Sequence, residues 1–195
     1  APKFGNDDDY VDSIAKNDVY GLAVKEMSKL RDIWGGIPRP LPQAVAAVWS
    51  QGKKIAALPN GRRAREALAD GGISPGIGYD KKGPTAILKS VSKVDHKSLK
   101  GCLLNQRLNP SILSGEKGNH LFLSYMKTWA DLGIDHIQYN VTDTKTLLAA
   151  QKEPEKYRDV MVRVAGYSAF FIDLDKELQD DIIARTVHTL PGAPD

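Results

Sequence analysis

The stretch "VRVAGYSAFF", Val162 to Phe171, carries valines on either side of an arginine and then meets a bare glycine. Tyr167, two small residues and two phenylalanines follow. β-Branched and aromatic residues of this kind suit a buried strand. Gly166 interrupts it. A glycine in such a place ordinarily marks a turn with positive φ, a bulge or a close packing contact. Taken alone, Gly166 is structural.

The neighbouring segments frame that stretch. Downstream, "DLDKELQDDIIARTVHTL" puts Leu174, Leu178, Ile182 and Thr186 at helical spacing. Upstream, "TKTLLAAQKEPEKYRD" reads as a helix that Pro154 closes or bends. Before it, "DHIQYNVTD" alternates: His136, Gln138 and Asn140 fall on one face, Ile137, Tyr139 and Val141 on the other. "SGEKGNHLFLSYMKTWADLG" predicts a helix capped by Ser114 and stopped at Gly133. "KGCLLNQRLNP" is a strand or loop leading to Asn109-Pro110, and "TAILKSVSKVD" a strand or the start of a buried helix.

Towards the N-terminus, "ALPNGRRAREALADGGISPGIGYDKKGPTA" is rich in breakers. An ordered loop of that length ordinarily serves a site or an interface. Its glycines could present N–H groups to an anion, but neither a P-loop nor a dinucleotide spacing is present. "IPRPLPQAVAAVWSQGKK" predicts a proline-rich loop and a short helix near Gln43 to Ser50. The opening predicts one helix started by the acidic run Asn6 to Asp9, striped by Val11, Ile14, Val19, Leu22, Ala23, Met27 and Leu30, and ended by Gly35-Gly36. Without His or Cys nearby, the acidic run is read as a helix start and not as a metal site. The element order is mixed α and β.

A chain of 195 residues with a 42% hydrophobic content is an ordinary globular protein, one large domain or two small ones. A net charge of +3, with no Lys/Arg cluster interleaved with aromatics, argues against a nucleic-acid partner. The single cysteine, Cys102, excludes an internal disulfide and is read as a buried small hydrophobe. His136 and His188 are read as structural. No apolar run approaches a membrane span and no leader pattern opens the chain, so no membrane and a cytoplasmic setting are expected.

The core Arg163-Val164-Ala165-Gly166-Tyr167 resembles the C-terminal signature of the glycyl radical enzymes, the pyruvate formate-lyase superfamily. The blocks "FGNDDDYVD", "GRRAREALADGGISP", "KKGPTAILKSVSKVD", "LLNQRLNP", "HIQYNV" and "LQDDIIART" resemble, in the same order, those of its glycerol dehydratase, choline trimethylamine-lyase and aryl-acid decarboxylase branch. The resemblance implies an α/β fold, the C-terminal portion of a ten-stranded α/β radical barrel with a buried glycyl radical loop. Residues 1–55 would be a helical lead-in and residues 56–195 the glycyl radical domain.

The same resemblance makes Gly166 the catalytic position, its α-carbon holding an unpaired electron. Arg163, Val164, Ala165, Tyr167 and Ser168 would support the loop, Arg163 and Tyr167 through hydrogen bonds. Val162, Val164, Phe170 and Phe171 would drive it into the barrel, away from water. No bound cofactor and no metal are implied. The radical is installed by a separate radical S-adenosylmethionine activase bearing an iron–sulfur cluster. It then passes to a cysteine whose thiyl attacks a small-molecule substrate, cleaving a C–C, C–O, C–N or C–S bond. That cysteine belongs to a Gly-Cys-x-Glu-like block absent from this sequence. A companion chain or N-terminal portion must therefore supply it, and this chain by itself is expected to be inactive. Two other readings stand beside a subunit or fragment of an oxygen-sensitive lyase of anaerobic metabolism. One is a spare part for an oxygen-cleaved enzyme. The other is a non-catalytic module on the same fold.

Overall fold

A computed structural model describes residues 1–44 and 47–190. In chain order the elements are α1 (Asp9–Ser13), a π-helical segment (Ile14–Gly21), α2 (Leu22–Met27), α3 (Val48–Gly52), α4 (Pro84–Ser92), β1 (Asn105–Leu108), α5 (Gly115–Asp131), β2 (Gln138–Val141), α6 (Thr144–Lys152), β3 (Met161–Arg163), β4 (Ser168–Phe170), α7 (Lys176–Ala184) and β5 (Val187–His188).

β1 is the central strand of a parallel sheet ordered β2-β1-β5. Asn105 pairs with Gln138 and Arg107 with Asn140 on one side; Arg107 pairs with Val187 on the other. Parallel neighbours need long crossovers. Here α5 makes the first, and α6, the β3–β4 hairpin and α7 make the second. The hairpin is a separate antiparallel ribbon in which Val162 faces Ala169 and Arg163 faces Ser168.

Two apolar cores fix this arrangement. Ile87, Leu88 and Val91 of α4 pack with Leu104, Leu108, Ile112 and Tyr125 around one face of the sheet. Leu147 and Ala150 of α6, Leu178 and Ile182 of α7, and Val162, Val164 and Phe171 of the hairpin form the other. The hairpin is therefore held on one side by two helices.

Several expectations need correction. The first helix ends at Met27, not at Gly35-Gly36; Gly35, at φ +84°, lies in a turn whose amides at Trp34 and Gly36 donate to Asp32 Oδ1, each at 2.8 Å. Its apolar stripe is open to solvent, with Ile14, Val19, Leu22 and Leu30 exposed. Asp8 is the N-cap, accepting from the amides of Tyr10 and Val11. Asp7, Asp9 and Asp12 instead converge on Lys93 Nζ at 3.0, 2.8 and 2.7 Å, so the acidic run joins the first helix to α4. The helix expected at Gln43 to Ser50 begins at Val48, and positions 45 and 46 of that range lie outside the described residues. "TAILKSVSKVD" is helical from Pro84, whose ring suits the first turn. Ser114 occupies the N-cap of α5 without a side-chain cap bond.

The breaker-rich segment has no helix or strand between positions 53 and 83. It is nevertheless ordered around Arg62, which is buried and donates to the carbonyls of Gly52, Ala56, Glu66 and Ala67. A guanidinium has five donors in a rigid fork, enough to organise a loop that has no ladder of its own.

Candidate functional site

Gly166 stands at the tip of the β3–β4 hairpin with φ +80°. The Val164 amide donates to the Tyr167 carbonyl at 2.9 Å and closes the turn. A Cβ placed on Gly166 would meet only Leu103 Cδ1, at an ordinary 3.7 Å. Space thus permits a side chain, and only the backbone conformation disfavours one.

The strands on either side are clamped by side chains, not by a sheet ladder. Asn140 on β2 behaves as a surrogate strand. Its Oδ1 accepts from the Arg163 amide at 2.6 Å, and its Nδ2 donates to the Arg163 carbonyl at 2.5 Å. Two residues earlier, Gln138 Oε1 accepts from Arg163 Nε at 2.8 Å and from the Gly166 amide at 3.3 Å. Gln138 Nε2 donates to Asn105 Oδ1 on β1, and Asn105 Nδ2 donates to the Asp70 carbonyl at 2.6 Å. The Asn105 amide in turn donates to Ser74 Oγ at 3.0 Å. A period of two puts Gln138 and Asn140 on the same face of β2, so one strand presents both amides to the hairpin.

The other side is pinned from beyond α7. Arg185 Nη1 donates to the Val164 carbonyl at 3.0 Å while the same guanidinium pairs with Asp181 at 3.0 Å and Asp70 at 3.2 Å. All three ionisable groups are buried. Burial pushes the Asp70 carboxyl up to about 6, against the opposing pull of Arg185. Burial also raises Asp181, again partly offset by Arg185. Two carboxylates out of water share one cation, and each would be costly without it. Near the clamp, burial and then the charge of Arg163 hold the His136 imidazole below its usual range.

The six residues singled out from the sequence occupy one turn. Val164 and Ala165 are buried, while Gly166, Tyr167 and Ser168 are exposed. Arg163 makes the side-chain bonds described, and its Nη1 reaches Ser168 Oγ at 3.3 Å. Tyr167 takes part in the turn through its backbone carbonyl. Of the residues expected to drive the loop inward, Val162 and Phe171 are buried and Phe170 is 44% exposed. Within the described residues only one side of the loop is covered. Cys102 is buried against His96 Nδ1 at 3.4 Å, and burial pushes its thiol up to about 11, a poor setting for a nucleophile. Among the described residues no group of three His, Cys, Asp or Glu side chains could hold a metal ion, and no helix is long and apolar enough to cross a membrane.

Gln138, Asn140, Asn105, Asp70 and Arg185 were not singled out from the sequence. One signal pointed to them. "NQRL" carries three polar residues yet forms a wholly buried strand, and "HIQYNV" buries its amide face. Buried polar groups need partners, and here the partners are the hairpin and its supports.

The glycine radical family model matches residues 69–172, more than half of the chain. The isethionate sulfite-lyase of Nitratidesulfovibrio vulgaris is 42% identical over 96% of this chain and 23% of its own length. The trans-4-hydroxy-L-proline dehydratase of Clostridioides difficile is 42% identical over 96% of this chain and 24% of its own length. In the glycerol-bound form of the B12-independent glycerol dehydratase from Clostridium butyricum, a region 46% identical superposes with a TM-score of 0.91, covering 97% of this chain and 24% of that one. The fold is thus the C-terminal portion of the glycyl radical enzyme α/β barrel. The chain spans about a quarter of the length of the curated relatives it matches.

Proposed function

The chain belongs to the glycyl radical enzyme family, and we propose that Gly166 is the residue on which it stores an unpaired electron. The observation that carries this reading is the placement of Gly166, inside the matched region, at a turn whose entering strand and own amide are held by buried side chains. An α-carbon without a side chain can flatten and share its spin with the amides on both sides. A Cβ would crowd that planar form. Arg163, Val164, Ala165, Tyr167 and Ser168 serve as loop support, Arg163 by its hydrogen bonds and Val164 by its burial.

In this reading a radical S-adenosylmethionine activase removes one hydrogen atom from the Gly166 α-carbon. The C–H bond breaks homolytically, the hydrogen leaves with the activase's carbon radical, and one electron remains on Gly166. Gly166 later takes a hydrogen atom from a cysteine thiol, which leaves a thiyl to act on a small-molecule substrate as a lyase. Cys102 is unsuited to that task, buried and with its thiol raised. The thiyl cysteine is assigned to protein outside these 195 residues, in a longer chain or a companion, and the present residues alone are inactive. Residues 1–55 are read as a lead-in and 56–195 as the radical domain; the matched region lies wholly inside the second.

Electron paramagnetic resonance tests the assignment. The whole protein, activated without oxygen, should give a doublet split by one α-proton, and α-deuterated glycine should collapse that splitting. No spin in folded, activated protein overturns the reading. Rescue of an oxygen-cleaved relative by the added chain would favour a spare-part role instead.

A further inference from the structure

Gln138 is the one side chain that accepts a hydrogen bond from Gly166 itself. We infer that Gln138 is a positioning residue for the radical: its side-chain carbonyl holds the Gly166 amide in the plane that shares the spin. The inference rests on the assignment of the radical to Gly166.

Spin on an α-carbon reaches the adjacent nitrogen only when the peptide plane and the flattened carbon are aligned. Gly166 has no Cβ contact to hold that alignment, since nothing but Leu103 Cδ1 comes near. Its amide hydrogen bond is therefore the restraint available. The acceptor is unusually well fixed. Gln138 is buried, its Oε1 also receives Arg163 Nε at 2.8 Å, and its Nε2 is committed to Asn105 Oδ1. Asn105 is committed to the Asp70 carbonyl at 2.6 Å. The chain from Gly166 to Gln138 to Asn105 to Asp70 runs donor to acceptor in one sense. Successive amides in such a chain polarise one another, which makes Oε1 a better acceptor for the Gly166 N–H. This commitment also settles which end of the Gln138 amide faces Gly166, because the opposite rotamer would set Nε2 against two donors.

A merely structural Gln138 would affect stability and nothing else. A positioning role reaches the radical's own spectrum. The measurement is electron–nuclear double resonance on the whole activated protein in D₂O, reading the exchangeable deuteron on the Gly166 nitrogen. A deuteron's quadrupole coupling falls as its hydrogen bond strengthens. Gln138→Leu should raise that coupling and lower spin per chain, whereas Gln138→Glu, which keeps an acceptor oxygen, should leave the coupling at or below the wild-type value. Spin in all three proteins with identical couplings overturns the inference and leaves the radical at Gly166 intact. Spin in none of them removes both. Should Gln138→Leu fail to fold, the Gln138→Glu comparison decides: the stronger carboxylate acceptor must lower the coupling, and no change counts against the role.

Discussion

Gly166 combines a backbone that disfavours side chains with surroundings that would admit one. Its φ of +80° costs an L-residue about 1–2 kcal/mol, partly offset because alanine also restricts the unfolded chain. Gly166→Ala should therefore lower stability by only about 1 kcal/mol in denaturant titration, while abolishing the radical signal. A collapse of the fold would mean that the glycine is required for packing. Asp70 supplies a second residue-scale test. Its carboxyl is raised to about 6 in the folded protein, above the usual value near 4, so the folded state holds the proton more tightly. Stability from this group is full below about pH 4 and falls as pH rises towards 6, by on the order of 2 kcal/mol. The carboxylates that are lowered, Asp80 and Asp143 among them, slope the other way, so the wild-type curve mixes both. The difference between wild type and Asp70→Asn isolates the Asp70 contribution. It should shift in favour of Asp70→Asn between pH 4 and pH 6, and a constant difference would contradict the assigned cause.

At the scale of elements, the hairpin is a two-stranded ribbon, which is marginal on its own. It persists because α6 and α7 cover one face and because β2 lends it two amides. Asn140→Ala removes both bonds to the Arg163 backbone and leaves a part-buried N–H and C=O without partners. A loss of about 2–3 kcal/mol is expected. Hydrogen exchange at the Arg163 amide should accelerate far more than exchange in α5, which lies in the other core. Uniform acceleration throughout would show that β2 and the hairpin do not form a local unit. The sequence pointed to a strand broken by a glycine here. The local pattern could not reveal that the strand's partner is a side-chain surface, because that depends on β2, which lies more than twenty positions away.

The whole molecule keeps apolar groups in water that a self-sufficient domain would bury. Ile14, Val19 and Leu22 on the first helix, with Ile33 and Trp34 beyond it, are exposed, the last two at 86% and 85%. A cavity of about 730 Å³ opens between the breaker-rich loop and α7, lined by Phe4, Trp49, Leu58, Ile77 and Ala184 among others. Contiguous apolar surface of this kind is uncommon on monomers. These 195 residues, prepared alone, should bind a hydrophobic dye and associate in sedimentation with rising concentration. The same residues within the longer protein should do neither. A monodisperse, dye-silent preparation of the 195 residues would argue that the surface is self-compatible.

The sequence by itself determined the family, the order of α and β elements and the position of the exceptional glycine, because these reside in local composition and in an ordered set of motifs. It also predicted the alternation that sorts Gln138 and Asn140 onto one face of a strand. Only the tertiary structure decided what that face meets, that Arg185 is shared between Asp70, Asp181 and the Val164 carbonyl, and that the first helix leaves its apolar stripe uncovered. The reason is physical. A side chain's identity limits the bonds it can make, but partners distant in sequence determine which of those bonds form.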